Sequence, residues 1–418
     1  MSKKLKVGVF GGARGRTMIE VLLHHPDAEL VAVCDKYKPL LDDVQKRADE
    51  LGVKVQLFEK FDDFFNCDMD AVVMANYANE HSIFGTKLLR SGRHILSEVL
   101  PCETMAQAVD LIDAVEESGK VYAYAENYCY MQHCFEMWKR YKRGDIGEVM
   151  YAEGEYVHNC ASIWPQITYG ERDHWRNNMF ATFYCTHSLG PMLSITNTRP
   201  VRVVGFETKP LEKMRELGAY GGAGLEIVTV DNGAVFKSIH GGLTREPSSV
   251  NYEIYGQKGM MESSRLDGKV LNVYRETGAV CQGDWEKYDP VNDIAADKAK
   301  NYSGHGGSDF YSTHFWIEKI LGNPDGEEWS IDVYRAVDMG ICGILAWRSV
   351  CQGNVPIDVP DLRNIAERNK YRHDNIGVNP RWASGKDLLP KTTFGEPDYP
   401  DSTFEYVRQL WLDGKNAE

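Results

Sequence analysis

Residues 5–35, LKVGVFGGARGRTMIEVLLHHPDAELVAVCD, decide the fold. Val7–Phe10 is a short apolar run that meets Gly11, Gly12 and Gly15 at once, and a helical pattern follows through Leu23. Glu29–Cys34 is a second apolar run and ends in Asp35. Strand, glycine turn, helix, strand and acid is the order in which a βαβ unit holds a dinucleotide. Glycine lets the backbone approach a pyrophosphate, and the helix N-terminus offers free N–H groups and the positive end of its dipole. Asp35 stands twenty residues after Gly15. A carboxylate there accepts from both ribose hydroxyls and repels a 2′-phosphate, which favours NAD and makes NADP the lesser expectation. The spacing FGGARGR is one residue tighter than G-x-G-x-x-G, so a non-standard phosphate turn is expected. Gly11, Gly12, Arg14, Gly15 and Asp35 are the first cofactor-binding candidates.

The same alternation continues outward. Leu40–Leu51 is an amphipathic helix stopped by Gly52, and Val53–Leu57 and the bare apolar run Ala71–Ala75 are further strands. Ser82–Leu89 is helical, and His94–Ser97 is a fifth strand. Thr104 with Gln107 makes a capping box ahead of Met105, Ala108, Val109 and Ile112, and Gly119 stops that helix before a sixth strand, Val121–Ala125. This rhythm predicts an α/β Rossmann domain with a doubly wound parallel sheet over residues 1–127. Beyond it the strands Val149–Val157, Arg202–Thr208, Leu225–Val230, Ala234–Ile239, Ser249–Tyr255 and Val270–Tyr274 follow one another through turns such as Asp231-Asn232-Gly233. That predicts an α+β domain over 128–360 with a large, mostly antiparallel open sheet. Helices are expected at Phe310–Leu321 and Val333–Val350, the second packing back on the Rossmann domain. Residues 361–418 read as an arm with little regular structure.

The 418 residues carry 47 Lys plus Arg against 61 Asp plus Glu, a net charge of −14, which disfavours nucleic acid as a partner. Hydrophobic residues at 43% and charged residues at 26% are ordinary globular composition. No apolar run reaches the length of a membrane span, and the basic start turns too soon into Gly-Gly to be a signal peptide. Ten scattered Cys with no C-x-x-C pair are expected as small buried filler in a reduced, cytoplasmic protein. No H-x-x-x-H spacing is present, and His174, Cys185, His187 and His305 would meet only through folding, so no metal is expected. No G-x-S-x-G elbow argues for a serine hydrolase.

The stretch HILSEVLPCETMAQAVDLIDAVEESGKVYAYAENYCYM, residues 94–131, resembles the glucose–fructose oxidoreductase / inositol dehydrogenase / MocA (Gfo/Idh/MocA) family. The resemblance extends through Asn76…His81 and through DVYRAVDMGICGILAWRSVCQGNVPIDVPD near the end. It implies an N-terminal Rossmann domain, a second domain whose open sheet supports a homo-oligomer (a dimer or tetramer), a nicotinamide cofactor and a small carbohydrate substrate. It adds Asn76, His81, Glu98 and Asn127 to the cofactor-binding candidates. The chain departs from the family's dehydrogenases at two places. The catalytic Lys of Glu-Lys-Pro is absent from Glu98-Val99-Leu100-Pro101, and Phe183 stands where an Asp usually precedes the His of the second motif. Ser-Glu-Val-x-Pro, Ala-Glu-Asn-Tyr-Cys-Tyr, Tyr-x-Thr-His-x-Leu-Gly-Pro and Gly-His-Gly-Gly-x-Asp-Phe together resemble glycoside hydrolase family 109. That resemblance implies a glycosidase that keeps NAD bound and recycles it: C3 is oxidised, the C2 proton is abstracted, the aglycone is eliminated, water adds and the ketone is re-reduced.

Such chemistry needs a base for a hydroxyl proton, a base at C2 and polar groups for the enolate. Tyr184 and His187 stand three apart and share one face if the turn is helical, so His187 is the candidate proton acceptor with Tyr184 assisting. Glu98 and Tyr130 end adjacent strands at the carboxyl edge of the sheet and are candidates for the C2 proton. Tyr128, Trp175, His305 and Asp309 are substrate-binding candidates, with Asp309 orienting His305 and with Trp164, Arg172, Asp173 and His174 on the loop around Trp175. Two other functions compete: an NAD-dependent sugar or cyclitol dehydrogenase that forms a keto-sugar, and a non-enzymatic NAD-binding sensor.

Overall fold

The apolar runs of the first third pair side by side. In the computed structural model, which describes residues 4–278, 282–299 and 304–417, β1 (Leu5–Phe10), β2 (Ala28–Cys34), β3 (Gln56–Phe58), β4 (Ala71–Met74), β5 (His94–Ser97) and β6 (Tyr122–Tyr124) form one six-stranded sheet. Every pairing in it is parallel and the order is β3-β2-β1-β4-β5-β6. Val7 and Val9 have no exposed surface, and all four residues of β4 are buried, because helices cover both faces of a parallel sheet. The order reverses between β1 and β4. That opens a crevice at the carboxyl ends of the strands, where a doubly wound fold takes its ligand. Thr104 caps the helix Met105–Ser118 by accepting from the Gln107 N–H, and the Gln107 side chain returns a bond to the Glu103 N–H, one residue ahead of the cap.

The chain falls into two compact units, Met1–Phe135 with Val291–Val337, and Glu136–Pro290 with Asp338–Glu418. The sequence boundaries at 127/128 and 360/361 therefore need correction. Residues 291–337 return to the first unit because the helix Ser308–Ile320 buries Trp316 and Ile317 completely in its core, with Val7, Val9, Met18 and Ile19. The helix Val333–Cys351 is divided between the units after Val337.

The second unit is built on a nine-stranded sheet. Its strands are β7 (Val149–Val157), β8 (Pro200–Glu207), β9 (Gly224–Val230), β10 (Val235–Gly241), β11 (Ser249–Gly256), β12 (Gly259–Ser263), β13 (Leu271–Glu276), β14 (Gly283–Tyr288) and β15 (Ile357–Asp358). The order is β14-β13-β12-β11-β7-β10-β9-β8-β15, antiparallel throughout except for the β7–β10 pair. The sequence reading omitted β12, β14 and β15: β12 and β15 are short, and the GDWEKY of β14 is a charged edge strand with no apolar alternation. Cys281, counted among the filler cysteines, lies outside the described residues. The arm also needs correction. It ends in the helix Asp401–Ala417, where Phe404, Val407 and Trp411 recur at helical spacing and are buried.

The helix Thr186–Thr196 lies on β7, β10 and β11. Its approach to β7 needs Gly154, because a Cβ there would overlap the Ser188 carbonyl. Gly154→Ala is expected to cost about 1–3 kcal/mol through overpacking. Denaturant titration checks this, and an unchanged midpoint would show that the helix can move off the strand freely.

Candidate active site

The glycine turn after β1 is shaped by close approach. Gly11 has φ 102°, and a Cβ on it would run into the Ala75 backbone at the end of β4. The Gly12 N–H donates to Asp35 Oδ2 at 2.6 Å, and the Tyr37 N–H donates to Asp35 Oδ1 at 2.8 Å. Each carboxylate oxygen keeps a further lone pair for a ribose hydroxyl. Gly15 precedes the helix Arg16–His24, and no side chain caps that helix, so its first N–H groups suit an anion. The glycine cradle, the uncapped helix start and the half-buried acid fit a nicotinamide dinucleotide.

Arg14 turns from this loop into a cluster of buried acids. Its guanidinium donates to both oxygens of Asp309 at 3.2 and 2.9 Å and lies 2.6 Å from Glu98 Oε1. Asp309 is 1% exposed and also accepts from Thr17 Oγ1 at 2.8 Å and Asn127 Nδ2 at 3.3 Å. His305 Nδ1 lies 2.9 Å from Asp309 Oδ2, in a turn where His305 itself takes φ 47°. Burial would raise Asp309, but the bonds from His305 and Arg14 override it and hold this carboxylate below its ordinary range. Burial pushes the Glu98 carboxyl up to about 7 against the pull of Arg14. The first unit thus brings together Gly11, Gly12, Arg14, Gly15 and Asp35 at one turn, and Arg14, Glu98, Asn127, His305 and Asp309 around one carboxylate. Thr17 joins them with no sequence signal beyond its place in the first helical turn.

Two candidates have other work. Tyr130 is 2% exposed and donates its hydroxyl to the Trp329 carbonyl at 2.8 Å, among the rings of Phe135 and Phe315. It is a packing residue, and burial raises its phenol well above the usual range. His81 is 2% exposed, with Nδ1 2.9 Å from the Leu100 carbonyl and Nε2 3.2 Å from the Asn76 carbonyl. It braces the loops after β4 and β5, and burial lowers it to about 4. Asn76 is half-buried in the first of those loops, and Tyr128 is buried in the turn Asn127–Tyr130.

The second unit gathers aromatic rings around His187, in the first turn of the helix Thr186–Thr196. The Tyr184 and Tyr156 rings meet it edge to face at 4.9 and 4.8 Å. Trp175 stacks on Tyr184 at 6.0 Å, and the Arg176 guanidinium lies 4.4 Å from the Trp175 ring and 5.4 Å from that of Tyr184. Tyr156 Oη and Cys160 Sγ each lie 3.3 Å from His158 Nδ1. Flat rings beside an imidazole and a guanidinium can hold a sugar face and exchange its hydroxyl protons. The backbone at His187 is seated firmly. The Tyr252 hydroxyl donates to the His187 carbonyl, and Ser188 is bonded through Ser238 to Glu226, which also holds His240 at 2.9 Å, all four of them buried. Sequence reasoning missed Tyr156, His158 and Arg176. The period-two pattern Tyr156-x-His158-x-Cys160 at the end of a predicted strand was the available signal. Among the described residues, no three His, Cys, Asp or Glu side chains gather to hold a metal ion, and no helix is long and apolar enough to cross a membrane.

Two outcomes are expected. Asp35→Ala should weaken NAD binding by about 1.5–3 kcal/mol through lost hydrogen bonds, and unchanged affinity by calorimetry would misplace the ribose. Glu98 holds its proton up to about 7 in the fold against an ordinary value of 4.5, so its ionisation removes stability as pH rises through that window. His81 works the other way, because the unfolded chain binds its proton more readily. The comparison with Glu98→Gln isolates Glu98: the variant's Tm relative to the parent should rise between pH 5 and 7.5, roughly the window of the shift. A flat difference would remove the buried acid from the account.

Residues 5–126 match the oxidoreductase family with an NAD-binding Rossmann fold, and residues 221–367 match the glycosyl hydrolase 109 C-terminal domain. The chain is 24% identical over 397 residues to glycosyl hydrolase family 109 protein 1 of Bacteroides thetaiotaomicron, covering 86% of this chain and 84% of that one. Its fold is similar to that of an oxidoreductase from Agrobacterium radiobacter solved with NAD+, L-tartaric acid and magnesium (TM-score 0.70, 14% identity, 85% and 98% of the two chains covered). It is similar also to that of an inositol dehydrogenase homologue from Azotobacter vinelandii solved with NADH and myo-inositol (TM-score 0.68, 15% identity, 86% and 98% covered). The chain thus joins an N-terminal segment similar to the NAD-binding Rossmann domain of the Gfo/Idh/MocA oxidoreductases to a later segment similar to the glycosyl hydrolase 109 C-terminal domain.

Proposed function

We propose that this protein is an NAD-dependent glycosidase that cleaves a sugar by transient oxidation, with no net redox change. The observation that carries this reading is the Tyr184–His187 pair, set edge to face at 4.9 Å on a rigid helix start, in a chain whose Glu98-Val99-Leu100-Pro101 turn lacks the dehydrogenase lysine. Gly11, Gly12, Gly15 and Asp35 would hold the dinucleotide, and when bound it supplies the acceptor and later the donor of one hydride. Returning the same hydride favours a cofactor that stays bound, and Asp35 favours NAD over NADP by repelling a 2′-phosphate.

The chain's own residues manage the protons. His187 accepts the proton of the sugar's C3 hydroxyl, and Tyr184 stabilises the oxygen at that centre and relays the proton. The ketone formed at C3 acidifies C2, so a modest base suffices there. A carboxyl balanced near neutrality both takes and returns a proton, and within the first unit Glu98, raised to about 7, has that balance. Loss of the C2 proton expels the aglycone from C1, water adds to the enone, and reduction at C3 restores the sugar. Trp175 and Tyr156 supply flat faces for the ring, and Arg176 donates to its substituents.

A dehydrogenase is the second reading, favoured by the Rossmann match and by the inositol dehydrogenase homologue among the similar folds. The two separate in one assay: the purified protein is incubated in D2O with nitrophenyl glycosides of both anomers, following nitrophenol, NADH absorbance and deuterium at C2. Nitrophenol with C2 deuterium and no net NADH is the expected result, whereas NADH in step with keto-sugar, without nitrophenol, would make it a dehydrogenase. His187→Asn should lower kcat by about 100-fold or more and Tyr184→Phe by less, on the usual scale of acid–base contributions, with NAD affinity unchanged. Full activity in the His187 variant would remove it from the mechanism.

A further inference from the structure

The arm after residue 367 lies beyond both matched segments, yet it reaches the loop that carries Trp175. The helix Asp401–Ala417 packs against the helix Trp164–Thr168 and the turn after it. Trp411 meets the Tyr169 ring edge to face at 5.3 Å. Gly170, with φ 66°, touches the Arg408 backbone so closely that a Cβ there would overlap it. Arg172 donates to the Tyr399 carbonyl at 2.8 Å, pairs with Asp401 at 2.6 Å and lies over the Phe404 ring at 4.6 Å.

From that contact a run of rings leads inward. Tyr169 meets His174 at 6.0 Å, His174 stacks on Trp175 at 6.0 Å, Trp175 stacks on Tyr184 at 6.0 Å, and Tyr184 meets His187 at 4.9 Å. The loop between is tied internally. Trp164 Nε1 donates to Asn177 Oδ1 at 3.0 Å, and Asn177 Nδ2 donates to the Glu171 carbonyl at 2.8 Å. These bonds hold the loop together as one block, and its outer side packs on the arm.

We infer that the C-terminal helix Asp401–Ala417 is a positioning element of the sugar site, which sets the Trp175 wall against Tyr184 and His187 through Trp411 and Arg172. The inference rests on the reading of Tyr184 and His187 as the sugar-handling pair. A loosened wall weakens sugar binding before it slows chemistry, because His187 is seated separately by Tyr252 and Ser188.

The test uses Trp411→Ala, Arg172→Ala and the conservative Trp411→Phe in the full chain. Hydrogen exchange across 169–184 should quicken in the two alanine variants and return in Trp411→Phe. The KM for the nitrophenyl glycoside found active should rise about tenfold with kcat changed less than about twofold, the signature of lost ground-state binding. Gly170→Ala, which pushes on the same contact from the loop side, should act likewise and covers the case in which Trp411→Ala fails to fold. A lower Tm with exchange across 174–184 or KM unchanged would overturn the inference and leave the helix a structural prop. If the wild type turns over no glycoside, the glycosidase reading falls. The arm is then judged by tryptophan-fluorescence titration with methyl glycosides: a dissociation constant weakened about tenfold in Trp411→Ala and restored in Trp411→Phe sustains it, and equal or absent binding overturns it.

Discussion

The buried carboxylate of Asp309 organises the first unit. Arg14, Thr17, Asn127 and His305 all converge on it, from the first βα turn, from the end of β6 and from the turn at residue 305. An ionised acid that is 1% exposed is tolerable only because every one of these groups donates to it. The result ties the helix Ser308–Ile320 to the glycine turn. It also fixes Arg14 beside Glu98, and so decides the environment in which Glu98 titrates. Two carboxyls a few ångströms from one guanidinium are driven apart: Asp309 with most of the donors stays charged, while Glu98 with fewer is pushed up by burial.

The second unit solves a different problem. Its imidazole must hold position at the edge of a ring-lined wall, and the support comes from behind. The helix Thr186–Thr196 rests on β7 at Gly154, its first-turn carbonyl accepts from Tyr252, and its Ser188 closes onto the buried Glu226–His240 pair through Ser238. Buried polar groups of this kind are costly unless fully bonded, so the network specifies one seating of the helix rather than several. The rings of Tyr156, Trp175 and Tyr184 then add shape without needing charge.

Much of this was legible in the residues. The six parallel strands, the glycine turn, Asp35 and the Thr104 cap follow from local pattern, because period, glycine and capping chemistry act over a few residues. The pairing of Tyr184 with His187 was also legible from their spacing of three, and that of His305 with Asp309 from a Gly-rich turn running straight into a helix. The corrections concern groups whose fate is settled by distant neighbours. Tyr130 looked like a sheet-edge hydroxyl until Trp329, far along the chain, took it. His81 looked like a ligand residue until two loop carbonyls enclosed it. Charged β14 had no apolar alternation to reveal it, because an edge strand buries little.

Sequence alone therefore determined the alternation and parallel sheet of the first unit, the nucleotide turn and the residues able to do acid–base work. These depend on interactions between near neighbours in the chain. Only the tertiary structure decided which of those residues are active candidates and which are packing. Only it returned residues 291–337 to the first unit, pressed the C-terminal helix onto the Trp175 loop and set the protonation of Glu98. Those outcomes depend on burial and on donors brought from more than a hundred residues away, such as Asp309 with Arg14, and no local pattern encodes them.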